Sequence, residues 1–365
     1  MEREADMQRK SKFVCVCMAG LMVLLVAGTF VLRAEREKGK TAEADRQWRE
    51  GMPLRYDGAE TGEEDSGESD PSAPPAIFSG ETVSYHGKTY RRNTYIKAIL
   101  GLGIDRNGTL EESQVAGSGG QSDSIVLIAQ DTVHDTVKLL MIPRDTMTDI
   151  LLTDLTGDEL GWDKQHLTLA YAYGDGREKS LDYSERAVSR MLGGFPIDGG
   201  LAIDIDALPV LNDAVGGVEV LIDDEDLAAR DPEFHAGERI RLKGKQAETF
   251  LRYRNIEKSL TALKRQERQK QYIGGFTEAV KKKAGEKQGF VADLYDEVQP
   301  YLVTDLNKDQ ILNMLLTFVK SSQGIREDDM VTLPGTAAET DLFDEYHLDQ
   351  DAAYELVLTL FYREE

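Results

Sequence analysis

Three places in this sequence carry residues suited to holding a multiply charged anion. The first is Leu251 to Lys270, LRYRNIEKSLTALKRQERQK. Here Arg252, Arg254, Lys258, Lys264, Arg265, Arg268 and Lys270 are balanced only by Glu257 and Glu267, in a chain of formal net charge −23. Lys281 to Lys283 adds a second basic run. Arg252 and Arg254 alternate as on one face of a strand end, while Arg265, Arg268 and Gln269 share one face of a helix. Two guanidinium clusters of this kind can close on one phosphate, because the planar donor fork of arginine binds its oxygens bidentately. The second place is the acid pair Asp105 and Asp123, an oxygen-only set that suits Mg²⁺ shared with phosphate rather than a soft metal. The third is Pro143-Arg144-Asp145, where Asp145 can orient the Arg144 guanidinium. Taken singly, these residues also read as a solvated basic face, strand caps and a structural salt bridge. Together they fit the stabilisation of a diphosphate and its departing charge.

The elements that must position them follow from the apolar runs. Ile96 to Ile104 (IKAILGLGI), Asp123 to Ile128 (DSIVLI) and Val137 to Ile142 (VKLLMI) read as strands. Asp105 and Asp123 then stand at the end and start of adjacent strands, with Arg106 as their one evident counter-charge, and Arg144 follows the third. Ile150 to Asp163 reads as a polar excursion. Helices are expected at Lys179 to Leu192, Ile205 to Ala214, Gln266 to Lys283, Leu294 to Val303, Ile311 to Val319 and Ala352 to Phe361. Further extended segments are expected at Ala202 to Ile205, Val218 to Ile222 and Met330 to Leu333, with Gly216 and Gly217 making a tight helix-to-strand connection. Alternating helices and buried strands predict an α/β fold, a three-layer α/β/α domain around a central mixed sheet.

That domain is expected to begin near Tyr85 and run to residue 365, with a helical C-terminal extension. Phe13 to Leu32 is an uncharged apolar run of twenty residues. At about 1.5 Å per residue it spans the hydrocarbon of a bilayer. It exceeds the roughly 7–15 residues of a cleaved signal's apolar region, so it reads as an uncleaved transmembrane anchor. Arg9, Lys10 and Lys12 place residues 1–12 on the cytoplasmic side. Residues 33–84, which include the acidic EEDSGESDPSAPP from Glu63 to Pro75, lack periodicity and read as a flexible stalk. The remainder would lie outside the cell membrane. Cys15 and Cys17, both within the apolar run, are the chain's two cysteines. This excludes an intrachain disulfide, a thiolate metal site or a thiol enzyme in the exported part. Nucleic-acid binding is not expected, because the basic residues are local and the surrounding domain is acidic.

The chain resembles the LytR-CpsA-Psr family of bacterial envelope proteins. The likeness rests on GLGIDR (Gly101 to Arg106), SDSIVLI (Ser122 to Ile128), MIPRD (Met141 to Asp145), LAYAYGDG (Leu169 to Gly176) and AVGGVEV (Ala214 to Val220). FHAGE (Phe234 to Glu238), LRYR (Leu251 to Arg254) and RQERQ (Arg265 to Gln269) continue it. The resemblance implies a phosphotransferase that moves a glycopolymer from a polyprenyl diphosphate carrier to peptidoglycan, with the lipid tail in an apolar channel. It implies that Asp105 and Asp123 hold Mg²⁺, and that Arg144, Arg252, Arg254, Arg265 and Gln269 surround the diphosphate. Arg268 falls on the family's arginine immediately before that glutamine. The family commonly carries Arg where Gln121 stands, Lys and Asn where His166 and Thr168 stand, and an acid where Ala262 stands. Two rival readings share the same residues. One is a hydrolase that releases the glycan phosphate to water; the other is a non-catalytic protein that binds an anionic envelope lipid.

Overall fold

The computed structural model describes residues 76–78, 80–106, 119–223, 225–253, 261–313, 325, 327–339 and 344–365, without the side chains of residues 261–267, 269, 270 and 339. The apolar run at Phe13 to Leu32 and Arg254 lie outside the described residues, as do the side chains of Arg265 and Gln269. Among the described residues no helix is long and apolar enough to cross a membrane.

The strands are β1 (Thr82–Tyr85), β2 (Lys88–Arg92), β3 (Ile96–Ile104), β4 (Ser122–Asp131), β5 (Thr136–Ile142), β6 (Met147–Thr153), β7 (Glu159–His166), β8 (Gly199–Asp204), β9 (Glu219–Leu221), β10 (Arg239–Arg241), β11 (Leu302–Thr304), β12 (Met330–Thr332), β13 (Gly335–Glu339), β14 (Asp344–Leu348) and β15 (Tyr362–Glu364). The central strands β3, β4 and β5 appear where β-branched and leucine-rich runs demand burial. The helices are α1 (Glu178–Met191), α2 (Ala207–Ala214), α3 (Glu225–Ala228), α4 (Lys245–Arg252), α5 (Thr261–Glu286), α6 (Phe290–Val298) and α7 (Gln350–Phe361).

A six-stranded mixed sheet in the order β11-β8-β3-β4-β5-β12 forms the centre. The pairs β3/β8 and β5/β12 are parallel, whereas β3/β4, β4/β5 and β8/β11 are antiparallel. From Lys97 to Ile104 every residue of β3 is buried, as is every residue of β4 except its last. A strand buried at successive positions has both faces covered, because neighbouring side chains point to opposite sides. Helix α1 shows the matching 3.6-residue pattern, burying Leu181, Ser184, Ala187, Val188 and Met191. The expected α/β architecture with a mixed central sheet is present.

The structure corrects four expectations. Ile150 to Asp163 is not an excursion: it belongs to the β6/β7 hairpin, in which Met147 pairs with His166. Much of β7 faces solvent, so no alternation of apolar residues announced it. Leu302–Thr304 is an edge strand on β8 rather than the end of a helix, which stops at Val298 before Pro300. Arg252 ends helix α4 instead of a strand, since Ala247, Phe250 and Leu251 line that helix's buried side. Finally, buried Phe78 and strand β1 belong to the fold, which therefore starts ahead of Tyr85. Of the helix expected at Ile311 to Val319, residues 311–313 are helical and the others lie outside the described residues.

The glycine pair behaves as expected. Gly217 has φ +85°, and a Cβ there would stand 2.5 Å from the Leu242 carbonyl oxygen, so no larger residue fits the turn from α2 into β9.

Candidate active site

The site forms where β3 and β5 end and β4 begins. Ile104 pairs with Ser122 across a register irregularity at Gly103/Ile104. Just beyond that pair, the Asp105 amide donates to the Gln121 carbonyl at 3.0 Å and the Asp123 amide donates to the same oxygen at 3.1 Å. One carbonyl therefore fixes the backbone of both acids. Gly120, at φ +92°, makes this close approach possible, since a Cβ there would meet Ile104 Cγ2 at 2.8 Å.

Asp123 is fully buried, and its carboxylate accepts a hydrogen bond from Arg144 Nη1. Arg144 Nε also pairs with Asp145 Oδ1 at 3.2 Å, so Asp145 orients the guanidinium as its position suggested. The Arg144 backbone is held from below: its carbonyl accepts from the Thr168 amide at 3.0 Å. Ser122 Oγ donates to the Thr168 carbonyl at 3.3 Å. Thr168, at one of the positions where the family differs, thus ties β4 to the strand end that bears Arg144. His166, at the other, has Nε2 3.1 Å from the Asp344 carbonyl, which engages it with β14.

Asp105 keeps some contact with solvent. Arg252 Nη2 lies 3.4 Å from its Oδ1, and Arg252 Nη1 binds Glu248 one turn earlier on α4. Burial pushes the Asp105 carboxyl up, opposed by the charges of Arg252 and Arg144, while Glu248 adds to the rise. Asp105, Asp123, Arg144 and Arg252 are therefore neighbours, though they come from separate stretches of sequence. The acids are also better countered than sequence alone showed, by Arg144 and Arg252 rather than by Arg106 alone.

Arg268 is engaged by backbone carbonyls. It is 2% exposed, and it donates from Nε to the Phe250 carbonyl at 3.1 Å and from Nη2 to the Tyr253 carbonyl. These carbonyls stand at the C-terminal end of α4, where helices leave acceptors unpaired and a cation is favoured. Arg268 thus caps the Arg252 end of α4 from a buried position.

Two residues of the site escaped the sequence reading. Glu248 would have followed from recognising α4, as the i−4 partner of Arg252. Asp204 ends β8 in parallel register with Ile104. It is fully buried, Oδ1 accepts from the Asp206 amide at 2.7 Å, and Oδ2 has no hydrogen-bond partner among the described residues. Burial pushes its carboxyl up to about 7. The unfolded chain would release this proton near pH 4, so between roughly pH 4 and pH 7 the native state binds more protons. Stability must then fall as pH rises through that window. In chelator, thermal unfolding of the wild type should lose ground to Asp204→Asn between pH 5 and pH 8; parallel curves would refute this.

The donor chemistry fits a hard divalent cation. Asp105 and Asp123 offer carboxylate oxygens, and the unpartnered Asp204 oxygen adds acceptor capacity nearby. Among the described residues no three His, Cys, Asp or Glu side chains converge closely enough to ligate an ion by themselves. Water or phosphate oxygens would complete the shell, as is usual for Mg²⁺.

The chain is similar to several known proteins. The sequence profile of the LytR_cpsA_psr family matches residues 59–360. The chain belongs to this family. Among curated relatives, the polyisoprenyl-teichoic acid–peptidoglycan teichoic acid transferase TagU of Bacillus cereus (strain ATCC 14579) is 30% identical over 220 residues, covering 60% of this chain and 62% of the relative. The match therefore spans less than two thirds of that relative's length. TagV of Bacillus subtilis, a transferase of the same description, is 30% identical over 182 residues, covering 48% of this chain and 41% of the relative. Protein gbs0355 of Streptococcus agalactiae shares the fold with a TM-score of 0.55 at 24% identity, covering 73% of this chain and 87% of that structure. TagT bound to LI-WTA gives a TM-score of 0.52 at 22% identity, covering 73% of this chain and 89% of that structure.

Proposed function

We propose that this chain is a Mg²⁺-dependent phosphotransferase that moves a glycopolymer from a polyprenyl diphosphate carrier to peptidoglycan. It would work at the outer face of the cell membrane, held by the apolar segment at Phe13 to Leu32. The observation that carries the reading is the meeting of Asp105, Asp123, Arg144 and Arg252 at one end of the central sheet. Family membership and relatives named as teichoic acid transferases support it.

In this reading the donor diphosphate lies against Arg144 and Arg252, with Arg254, Arg265 and Gln269 as further contacts. A peptidoglycan hydroxyl attacks the sugar-proximal phosphorus, a new P–O bond forms, and the bond to the carrier phosphate breaks. The hydroxyl proton passes to Asp105, the acid of the pair that keeps contact with solvent. Arg144 and Arg252 neutralise charge on the departing carrier phosphate. Asp105 and Asp123 would hold the divalent cation, which supplies further positive charge at the diphosphate. Asp123 and Asp145 keep Arg144 in place while this happens.

The test is incubation of the full purified chain with defined lipid-linked donors and peptidoglycan, with and without Mg²⁺. Cation-dependent covalent attachment of glycan is expected, and Asp105→Ala should lower it by about 100-fold or more. Soluble glycan phosphate in place of attachment would make the protein a hydrolase. Full attachment by Asp105→Ala would end the catalytic reading.

A further inference from the structure

Asp204 is an anomaly in the fold. A buried carboxylate is expensive unless its lone pairs are used. Here one oxygen is used by the Asp206 amide, and the other has no partner among the described residues. Its place is not arbitrary. Asp204 stands opposite Ile104 in the parallel β3/β8 ladder, and the next amide, that of Ile205, donates to the Ile104 carbonyl at 3.2 Å. The peptide that leads into Asp105 is thus bonded to the peptide that follows Asp204. Asp204 feels the charges of both Arg106 and Asp105.

We infer that Asp204 accepts a hydrogen bond from a water on the divalent cation held by Asp105 and Asp123. The inference rests on the cation reading given above. An indirect role fits both observations. A direct third ligand would require the three carboxylates to converge, and they do not. Mg²⁺, however, retains several of its waters, and those waters donate strongly. Partners of this outer kind orient the ligated shell and typically alter metal affinity by about 10–100-fold. Asp204 is in this sense a positioning residue, which acts through water rather than on substrate.

The experiment measures cation binding by the full chain without any donor lipid, by calorimetry with Mg²⁺ and by the electron paramagnetic resonance of added Mn²⁺. Asp204→Asn, which retains the acceptor for the Asp206 amide, should weaken Mg²⁺ binding by about 10–100-fold. Its thermal midpoint in chelator should not fall, and the rise in midpoint on adding Mg²⁺ should shrink. Asp204→Ser serves as a second variant that removes the charge while keeping an acceptor oxygen. A purely structural role would lower the midpoint in chelator and leave the affinity of the folded fraction intact, which would overturn the inference. Wild-type affinity in both variants would overturn it too, with the cation reading preserved if Asp105→Asn abolishes binding. No cation binding by the wild type would remove both.

Discussion

Arg144→Ala should destabilise the protein by about 3–5 kcal/mol, because it strands the fully buried Asp123 carboxylate without its counter-ion. It should also reduce transfer by about 100-fold or more, because it removes the guanidinium proposed to neutralise developing phosphate charge. The two losses can be separated. Adding Asp123→Ala to Arg144→Ala removes the stranded charge and should restore part of the stability in a thermal melt. It should restore none of the activity. Recovery of activity along with stability would mean that neither Arg144 nor Asp123 takes part in transfer. Arg144→Lys should fall between, since an ammonium keeps the charge but cannot bridge Asp123 and Asp145 as a planar fork does.

Arg268→Ala is expected to be comparably damaging to the fold, by about 3–5 kcal/mol, since two hydrogen bonds from a charged group to helix-end carbonyls disappear together. The functional loss would arrive indirectly. Phe250 and Tyr253 bracket Arg252, so releasing their carbonyls frees the end of α4 that presents Arg252 to Asp105. Substrate KM and kcat should both worsen, and Arg268→Lys should recover part of each by still reaching one carbonyl. If Arg268→Ala melted like the wild type while donor binding collapsed, the capping role would be wrong and a direct substrate contact would replace it.

The contrast between these two arginines shows what sequence can and cannot reveal. Asp105, Asp123 and Arg144 were legible because each adjoins an apolar run long enough to be a buried strand, and strand ends set where a side chain emerges. The alternation in LRYR was a weaker guide. It matched a strand, yet the i, i+3, i+4 positions Ala247, Phe250 and Leu251 made the preceding residues a helix. Arg265, Arg268 and Gln269 share a helical spacing, but spacing does not say whether a face meets solvent, substrate or the next helix. Asp204 gave no warning, because its significance lies in the β3/β8 pairing, a contact between residues about a hundred positions apart. The β6/β7 hairpin stayed hidden for a related reason: its exposed strand lacks the apolar period that a core imposes.

The small β1-β2-β15 sheet joins segments that lie far apart in the chain. Tyr362 and Arg363 pair with Arg92 and Arg91. Arg92 sits 5.1 Å from the ring centres of both Phe195 and Phe361 and binds Asp198 at 3.3 Å. It also donates to the Phe361 carbonyl, 269 positions along the chain. A contact across so long a span rewards the chain only after the intervening loop entropy has been spent. If the domain is exported as an extended chain, β1 and β2 emerge early and must wait for α7 and β15 before their sheet can close. Until then the aromatic cluster of Phe195, Phe361 and Tyr362 around Arg92 stays open. Closure of that sheet would then be the late event that separates a vulnerable chain from a finished one.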